Sequence, residues 1–196
     1  MSGARLVRSA IKAASSELAE SIGGQLASPH HRFRIVHAED LLESERNAIW
    51  MIFESNMRAL YTSSSFGWDP RAKWKELFNS LSRFYLAYQA AASELIGFAM
   101  FRFEYEAQES ILYCYDLQVT RFFQGTGLGK TLMRQLADIG SAWKMEKVML
   151  TVFKANTRAF QFYNSTGFVV DSCSPSCAGD GSEIDVDYEI LSMRLT

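Results

Sequence analysis

A glycine-rich stretch holds the residues whose types and spacing most directly suggest chemistry: Gln124, Gly125, Thr126, Gly127, Leu128, Gly129 and Lys130. It lies between a strand-like apolar run, 111–119, and a helical pattern that begins near Leu128. The start of a helix leaves backbone N–H groups unpaired and carries a partial positive charge, and glycines let a backbone approach an anion closely. The stretch therefore predicts a binding loop for a phosphate or pyrophosphate.

Two common phosphate-binding motifs do not fit the spacing of these glycines. The nucleoside triphosphate loop G-x-x-x-x-G-K-[ST] fails because Gly125 lies one residue too close to Gly129 and the following Lys130. The dinucleotide fingerprint G-x-G-x-x-G fails because Gly125, Gly127 and Gly129 alternate. The pattern that fits is Q-x-x-G-x-G, formed by Gln124, Gly127 and Gly129.

This pattern resembles the acetyl-CoA loop of the GCN5-related N-acetyltransferases, which surrounds the CoA pyrophosphate. Residues 156–168 read N-x-x-A-x-x-F-Y-x-x-x-G-F. They are similar to the segment of that superfamily in which an Asn contacts CoA and a helix packs aromatic rings behind it. The resemblance implies an α/β fold, with a central mixed, mostly antiparallel sheet flanked by helices. It also implies acetyl-CoA as the cosubstrate.

A narrower resemblance runs from about residue 55 to the end of the chain. Residues 112–118, L-Y-C-Y-D-L-Q, resemble the strand L-Y-C-Y-E-[VL]-Q of the NatD-type N-terminal acetyltransferases. Segments 149–154, 174–176 and 188–192 resemble the same family. The resemblance implies an enzyme that acetylates the α-amino group of histone tails beginning Ser-Gly-Arg-Gly, those of histones four and two-A.

Carried across residue by residue, this resemblance implies three groups of site residues. The catalytic group is Asp116, Tyr115 and Tyr163. The peptide groove is implied to be lined by aromatic, hydroxyl and acidic side chains: Tyr61, Phe66, Trp68, Glu104, Tyr113, Tyr115, Asp116, Thr151 and Tyr188. Acetyl-CoA is implied to contact the end of one strand, the glycine loop and one Asn: Leu117, Gln118, Val119, Gln124, Gly125, Thr126, Gly127, Leu128, Gly129 and Asn156.

The chain departs from the NatD-type pattern at three of these positions. Asp116 stands where Glu is usual, so its carboxylate is one methylene shorter, and Glu104 stands where Asp is usual. Phe66 replaces a Trp and lacks the indole N–H. Glu104 and the acidic run near Asp185 and Asp187 are expected to offer carboxylates to the Arg at the third position of the tail.

The implied chemistry explains why a carboxylate and tyrosines belong in this site. A primary amine must lose its proton to attack a thioester, and the pKa of an α-amino group, about 8, lies well below the lysine value of about 10.4. We expect Asp116 to accept this proton directly, through a water or through a tyrosine relay. Backbone N–H groups near Leu117 and Val119 are expected to stabilise the thioester oxygen. Tyr163 either returns a proton to the CoA thiolate or is simply a core ring.

Three functions stay open at this point. The first is the histone N-terminal acetyltransferase, and the second is an acetyltransferase for lysine or a small amine. The third is an acyl-CoA-binding chromatin adaptor without catalysis, against which the intact glycine loop and Asp116 argue. Without the resemblance, Tyr113 and Tyr115 are ordinary half-buried strand residues and Glu104 is a solvated carboxylate.

Composition sets broader expectations for the chain. It has 196 residues, of which 48% are hydrophobic, and a net charge of −2, so nothing suggests direct nucleic-acid binding. No apolar run approaches the length of a membrane span. The three cysteines show no zinc pattern and the three histidines lie away from the motifs, so we expect reduced thiols and no metal site. We expect a monomer in the nucleus and cytoplasm whose partners are histone tails.

The elements that must position these residues follow from the hydrophobic pattern. Residues 1–30 are expected to be a helical segment, with one helix over 4–22, packing on a single acetyltransferase domain over 31–196. Within that domain the pattern predicts strand 33–37, helix 41–61, loop 62–68, a helix from Pro70, strands 83–89, 95–105 and 110–119, helix 127–142, strand 147–153, helix 156–164, and strands 167–172 and 184–194.

Overall fold

The structure is a computed structural model that describes residues 2–22, 30–177 and 186–195. Its helices and strands, in chain order, are α1 Gly3–Lys12, α2 Ser15–Ser21, β1 His31–His37, α3 Glu43–Thr62, α4 Pro70–Leu77, β2 Arg83–Gln89, β3 Leu95–Glu106, β4 Glu109–Val119, α5 Leu128–Ala142, β5 Lys147–Phe153, α6 Thr157–Ser165, β6 Val169–Val170 and β7 Tyr188–Arg194. In the described ranges, no helix combines the length and apolar character needed to cross a membrane.

The strands form one seven-stranded sheet in the order β1-β2-β3-β4-β5-β7-β6. The β4–β5 pair is parallel, and the other neighbouring strands are antiparallel. This confirms the predicted α/β fold with a mixed, mostly antiparallel sheet. β4 and β5 pair from Ile111–Lys147 to Cys114–Leu150, although β4 continues to Val119 and β5 to Phe153. The sheet therefore opens between the second halves of these two strands.

A β-bulge lies where this opening begins. Met100 of β3 pairs with Asp116, and the next β3 residue, Phe101, pairs with Cys114, so Tyr115 is the extra residue on β4. A bulge bends its strand and re-aims the neighbouring side chains, and bulges are frequent beside active sites. The two residues proposed from sequence as catalytic on this strand, Tyr115 and Asp116, therefore lie at the bulge itself.

Helices cover both faces of the sheet. Successive residues of β2 alternate between two cores: Phe84 and Leu86 join one, and Tyr85 and Ala87 join the other. The first core is closed by buried side chains of α3 and α4: Ile49, Ile52, Phe53 and Leu77. The second is closed by side chains of α1, α2, α5 and α6: Val7, Ala10, Leu18, Leu132, Leu136, Ile139 and Tyr163.

The N-terminal region differs from the single helix expected over 4–22. The chain forms α1 and α2, and the intervening Ala13 and Ala14 are extended. The Glu17 carboxylate accepts a hydrogen bond from the Ala14 N–H at 2.6 Å, which caps the second helix and favours the break. Val7 and Leu18 are buried on the sheet, so both helices pack on the domain.

Two strand predictions near the C-terminus are wrong in extent. β6 covers Val169–Val170 rather than 167–172, and residues 175–177 form a short 3-10 turn. β7 begins at Tyr188, and the earlier part of the strand expected over 184–194 lies in part outside the described residues. Asp185 also lies outside them.

Candidate active site

Two cavities meet at the opening between β4 and β5. The cofactor cavity, of about 540 Å³, lies beside the glycine loop. The acceptor cavity, of about 270 Å³, lies between the two strands and α4. The two cavities share lining residues from α3, β4 and α6: Met57, Leu117, Gln118, Asn156, Ala159 and Tyr163. A ligand in one cavity therefore reaches a ligand in the other past these side chains.

The glycine loop takes a backbone path that leads into the start of α5. Gly125 and Gly127 have φ values of +80° and +91°, a region that residues with a Cβ rarely adopt. Gly127 is the N-cap of α5, and its carbonyl accepts the first helical hydrogen bond, from Thr131 N at 3.0 Å. Backbone N–H groups 128–130 are thus offered to an anion in the cofactor cavity.

The end of β4 is fixed by amide side chains that hold one carbonyl. Val119 O accepts hydrogen bonds from Gln124 Nε2 at 3.0 Å and from Asn56 Nδ2 at 3.0 Å. The Gln124 Oε1 in turn accepts from Arg158 Nη1 at 3.1 Å. Gln124 therefore lines the cavity as expected, but its side chain anchors the loop to the strand and to α6.

Three cations line the cofactor cavity: Arg121, Lys130 and Arg158. Sequence reasoning noted Lys130 only as part of the glycine-rich stretch and assigned a cofactor contact to none of the three. Their positive charges suit a ligand that carries several phosphate charges. Each lies within three residues of a predicted contact, so a search for Arg and Lys around the two motifs would have found them. The residues present thus fit acetyl-CoA, whose pyrophosphate would lie at the glycine loop.

Two predicted cofactor contacts do not line this cavity with their side chains. The Thr126 hydroxyl donates to Phe123 O at 2.7 Å, which completes the turn locally. Leu128 is buried in the core, because the apolar stripe of α5 faces the sheet. These two residues can meet a cofactor through their backbone alone. The other predicted contacts, Leu117, Gln118, Val119, Gln124, Gly125, Gly127, Gly129 and Asn156, all line the cavity.

The acceptor cavity has an aromatic wall, as the resemblance implied. Its lining includes Tyr61, Phe66, Tyr113, Tyr115, Thr151 and Phe153. The rings of Tyr113 and Tyr115 are 4.8 Å apart. The Tyr113 hydroxyl is hydrogen-bonded to Thr151 Oγ1 at 2.6 Å, so it joins β4 to β5 across the opening. Burial raises the pKa of Tyr113 to about 12, so its hydroxyl is neutral.

Three residues predicted for the groove are not among the residues that line this cavity. Trp68 stacks on Phe53 and contacts Tyr61 edge-on, with ring centroids 6.2 Å apart in the second pair. Tyr188 packs against Phe66 at 5.3 Å. Glu104 accepts a hydrogen bond from the Tyr115 hydroxyl at 2.6 Å. The structure therefore gives Trp68 and Tyr188 supporting positions behind the aromatic wall. Glu104 is half-buried beside the cavity, where it holds the Tyr115 hydroxyl.

A short tether holds the loop before α4 over the acceptor cavity. The Asp187 carboxylate accepts hydrogen bonds from Ser65 N at 2.6 Å and Ser65 Oγ at 2.7 Å. These bonds lower the pKa of Asp187. Asp187 was expected to bind an Arg of the tail, but its two oxygens are already engaged with Ser65. Phe66 follows directly and packs on Phe153 at 5.6 Å.

Asp116 lies buried at the inner end of the acceptor cavity, with 5% of its surface exposed. Its Oδ1 accepts from Gln118 Nε2 at 3.1 Å, and its Oδ2 lies 3.1 Å from the Lys73 Nζ. Lys73 also pairs with Glu76 one turn along α4. Burial raises the pKa of the Asp116 carboxyl, and the Lys73 ammonium partly offsets this rise.

Lys73 and Glu76 are the functional residues that sequence reasoning missed. Their i, i+3 spacing places them on one face of α4, which is the available signal, but nothing local indicates that this face meets β4. Burial lowers the pKa of Lys73, yet Asp116, Tyr61 and Glu76 together raise it above the usual lysine value. Lys73 is therefore an ammonium.

Tyr163 lines both cavities and is also a core ring. It is 8% exposed and packs edge-on against Phe168 at 5.6 Å. Burial raises its pKa well above the usual tyrosine value, so the hydroxyl keeps its proton at neutral pH. The position fits both of the alternatives considered from sequence, because the hydroxyl at the shared wall carries a proton and the ring is also part of the core.

Two linked cavities meet at the opening of a mixed sheet. One suits a polyphosphate ligand and the other ends at a buried carboxylate, an arrangement that suits the transfer of a group between two bound molecules. Residues 46–168 match the model of the Acetyltransferase (GNAT) family. This match covers more than half of the chain, and the chain therefore belongs to that family. The enzymes of this family transfer an acetyl group from acetyl-CoA.

Comparisons with individual proteins agree with this assignment. A 73-residue segment, 37% of the chain, is 30% identical to the human "Spermidine/spermine N(1)-acetyltransferase-like protein 1", but it spans 10% of that relative's length. The fold is similar to Tetrahymena GCN5, with a TM-score of 0.62, 18% identity, and coverage of 84% of this chain and 96% of that one. It is also similar to the PaiA N-acetyltransferase of Thermoplasma acidophilum in complex with coenzyme A, with a TM-score of 0.58, 18% identity, and coverage of 84% and 98%.

Proposed function

We propose that the protein is an N-terminal α-amino acetyltransferase for tails beginning Ser-Gly-Arg-Gly, those of histones four and two-A. It acts as a monomer in the nucleus and cytoplasm. The observation that carries the proposal is the acceptor cavity, a space of about 270 Å³ walled by tyrosines that ends at the buried Asp116. Such a cavity favours a small first residue followed by a glycine, because the aromatic rings close around a backbone without side chains.

The protonation of the acceptor also favours an α-amine over a lysine. The two pKa values differ by about 2.5 units, which corresponds to about 3.4 kcal/mol for forming the neutral amine. A carboxylate is a modest base, so it serves the more acidic α-ammonium better. Asp116 lines the acceptor cavity and directly precedes Leu117 and Gln118, which line both cavities.

Each residue of the site then has its own role in the reaction. Asp116 accepts the amine proton directly, through a water or through Tyr115, and the freed amine attacks the thioester carbon. Backbone N–H groups near Leu117 and Val119 stabilise the oxygen as charge develops. The carbon–sulfur bond breaks, and Tyr163 donates a proton to the leaving sulfur.

Recognition of the third tail residue falls to Glu104. Its side chain is half-buried beside the cavity and is held by the Tyr115 hydroxyl, which leaves carboxylate lone pairs for a guanidinium. Asp187 is engaged with Ser65. A charge-assisted hydrogen bond to the Arg is worth about 1.5–3 kcal/mol, so its loss should cost about tenfold or more.

A peptide panel read by mass spectrometry tests the proposal. We expect strong activity on Ser-Gly-Arg-Gly, a KM at least about tenfold higher for Ser-Gly-Ala-Gly, and little activity on Met- or Ala-starting peptides. Glu104→Gln is the matched variant, and it should bring the two Ser-Gly peptides closer together while leaving acetyl-CoA affinity unchanged. Equal wild-type activity on both peptides, or on an internal lysine with a blocked N-terminus, would overturn the proposal.

A second candidate is an acetyltransferase for small amines. The human relative matched over 73 residues carries spermidine and spermine in its name. The carboxylates Glu76, Glu104 and Asp116 around the acceptor cavity would also suit a polyamine. Spermidine belongs in the same panel, and turnover of spermidine above that of every peptide would favour this candidate.

A further inference from the structure

The acceptor cavity contains a buried ammonium that neither the glycine loop nor the acceptor requires. Lys73 is 8% exposed, and its Nζ lies 3.1 Å from Asp116 Oδ2. The same Nζ lies over the rings of Phe53 and Tyr61, at 5.0 and 5.2 Å from their centroids. These rings replace part of the hydration that the ammonium loses on burial. The carboxylate on one side and the two rings on the other thus fix the position of the ammonium, whereas a surface lysine would be flexible.

The groups around Asp116 show why this cation matters. α4 supplies Lys73 and Glu76, α3 supplies Tyr61, α6 supplies Tyr163, and β4 itself supplies Cys114. Of these five groups, Lys73 alone is positive, and the other four are neutral or negative. An uncompensated carboxylate in such a place takes up a proton, because burial disfavours the charged form.

We propose that Lys73 is a positioning residue whose ammonium holds Asp116 as a carboxylate at the inner end of the acceptor cavity. The inference rests on the proposed function, since Asp116 is there the group that accepts the amine proton. Without Lys73, Asp116 is protonated before the reaction begins, so it cannot accept the proton that the amine must lose. Lys73 touches neither the thioester nor the leaving sulfur in this scheme, so it acts through Asp116.

Glu76 offers a second test of the proposal, because its removal should change the ionisation of Asp116 in the opposite direction to the removal of Lys73. Its side chain is 40% exposed and shares the ammonium with Asp116. Glu76 also adds a negative charge that disfavours ionisation of Asp116. Removing this charge in Glu76→Gln leaves the ammonium to Asp116 alone, so Asp116 should stay ionised to lower pH than in the wild type.

Infrared spectroscopy of the free protein labelled with ¹³C-carboxyl Asp tests the inference without an acceptor. The Asp116 band is identified by subtracting the spectrum of Asp116→Asn. Near neutral pH we expect a carboxylate band in the wild type and in Lys73→Arg, and a protonated carboxyl band in Lys73→Met. In Glu76→Gln the carboxylate band should persist to lower pH.

The pH dependence of turnover with the best acceptor is the companion measurement. At the acid end of the profile, Lys73→Met should be at least about tenfold slower than the wild type, with Lys73→Arg close to the wild type. An Asp116 that stays ionised in folded Lys73→Met would overturn the inference. If Lys73→Met does not fold, the direction of the shift in Glu76→Gln decides, and no shift or an upward one overturns it. A supportive spectrum with no activity on any histone peptide would reject the proposed function alone.

Discussion

The cofactor cavity and the acceptor cavity share lining residues but are built in different ways. The cofactor side offers backbone N–H groups of a glycine-led helix start and the cations Arg121, Lys130 and Arg158. The acceptor side offers side chains that are already paired with one another, such as Tyr113 with Thr151, and Lys73 with Asp116. The donors and cations of one cavity suit an anion, and the side chains of the other hold a buried carboxylate beside an ammonium.

This difference has a physical consequence for how each side tolerates change. A backbone site depends on conformation, so it is damaged by any residue that cannot follow the path of the glycine loop. A site of mutually satisfied side chains is damaged when one partner is removed, because the remaining polar group is left buried and unpaired. Variants on the cofactor side should therefore lose affinity for acetyl-CoA, and variants on the acceptor side should change turnover or the KM for the peptide. Four predictions, ordered by their effect on catalysis, test this separation.

The largest effect is expected for Asp116→Asn. An amide cannot accept the amine proton, so kcat should fall by about 100-fold or more. The dissociation constant for acetyl-CoA, measured by calorimetry, should change little, because the cofactor side is intact. Near-normal turnover would instead make Asp116 a positioning residue and leave the proton to a tyrosine or a water.

The next effect is expected for Gly127→Glu on the cofactor side. Gly127 has a φ of +91°, and forcing another residue into a strained backbone region costs about 1–3 kcal/mol. The added carboxylate also repels the phosphates. The strain alone should lower acetyl-CoA affinity by up to about 5- to 150-fold in Gly127→Ala, and the added charge should lower it further in Gly127→Glu. Unchanged affinity in a folded Gly127→Glu protein would reject the loop as the cofactor site.

A weaker effect, restricted to the acceptor side, is expected for the tether between Asp187 and Ser65. Asp187→Ala removes two hydrogen bonds that hold the loop carrying Phe66. The KM for the peptide should rise a few-fold, with the KM for acetyl-CoA unchanged. Ser65→Ala removes the hydroxyl bond and keeps the N–H bond, so its effect should be smaller. A rise in the KM for acetyl-CoA would show that the two cavities are coupled through this loop.

No kinetic effect is expected from Leu18→Ala, which lies under neither cavity. Leu18 is fully buried on the sheet, so its truncation should lower the free energy of unfolding by about 2–5 kcal/mol in a urea titration. Both KM values should match those of the wild type at temperatures where the variant is folded. An unchanged midpoint would show that α2 contributes little to the stability of the domain.

The parts of the molecule predicted well from sequence are those encoded locally. The order of strands and helices followed from periodicity, because neighbouring residues in the chain decide which face of an element is apolar. The errors came where a few atoms decided the outcome. The Glu17 carboxylate at the Ala14 N–H divides the N-terminal region into two helices, and the hydrophobic stripe of 4–22 does not reveal that break.

The sequence by itself determined where the glycine loop lies, since Gln124 to Gly129 form one continuous segment and each glycine permits a backbone conformation that other residues rarely adopt. Tertiary structure alone decided the acceptor side. Lys73 and Asp116 are far apart in the chain, and they meet because α4 and the bulged β4 pack across the same core. It also placed Trp68 and Tyr188 behind the aromatic wall. Contacts between distant segments depend on packing of the whole sheet, and no local pattern encodes which charged faces that packing brings together.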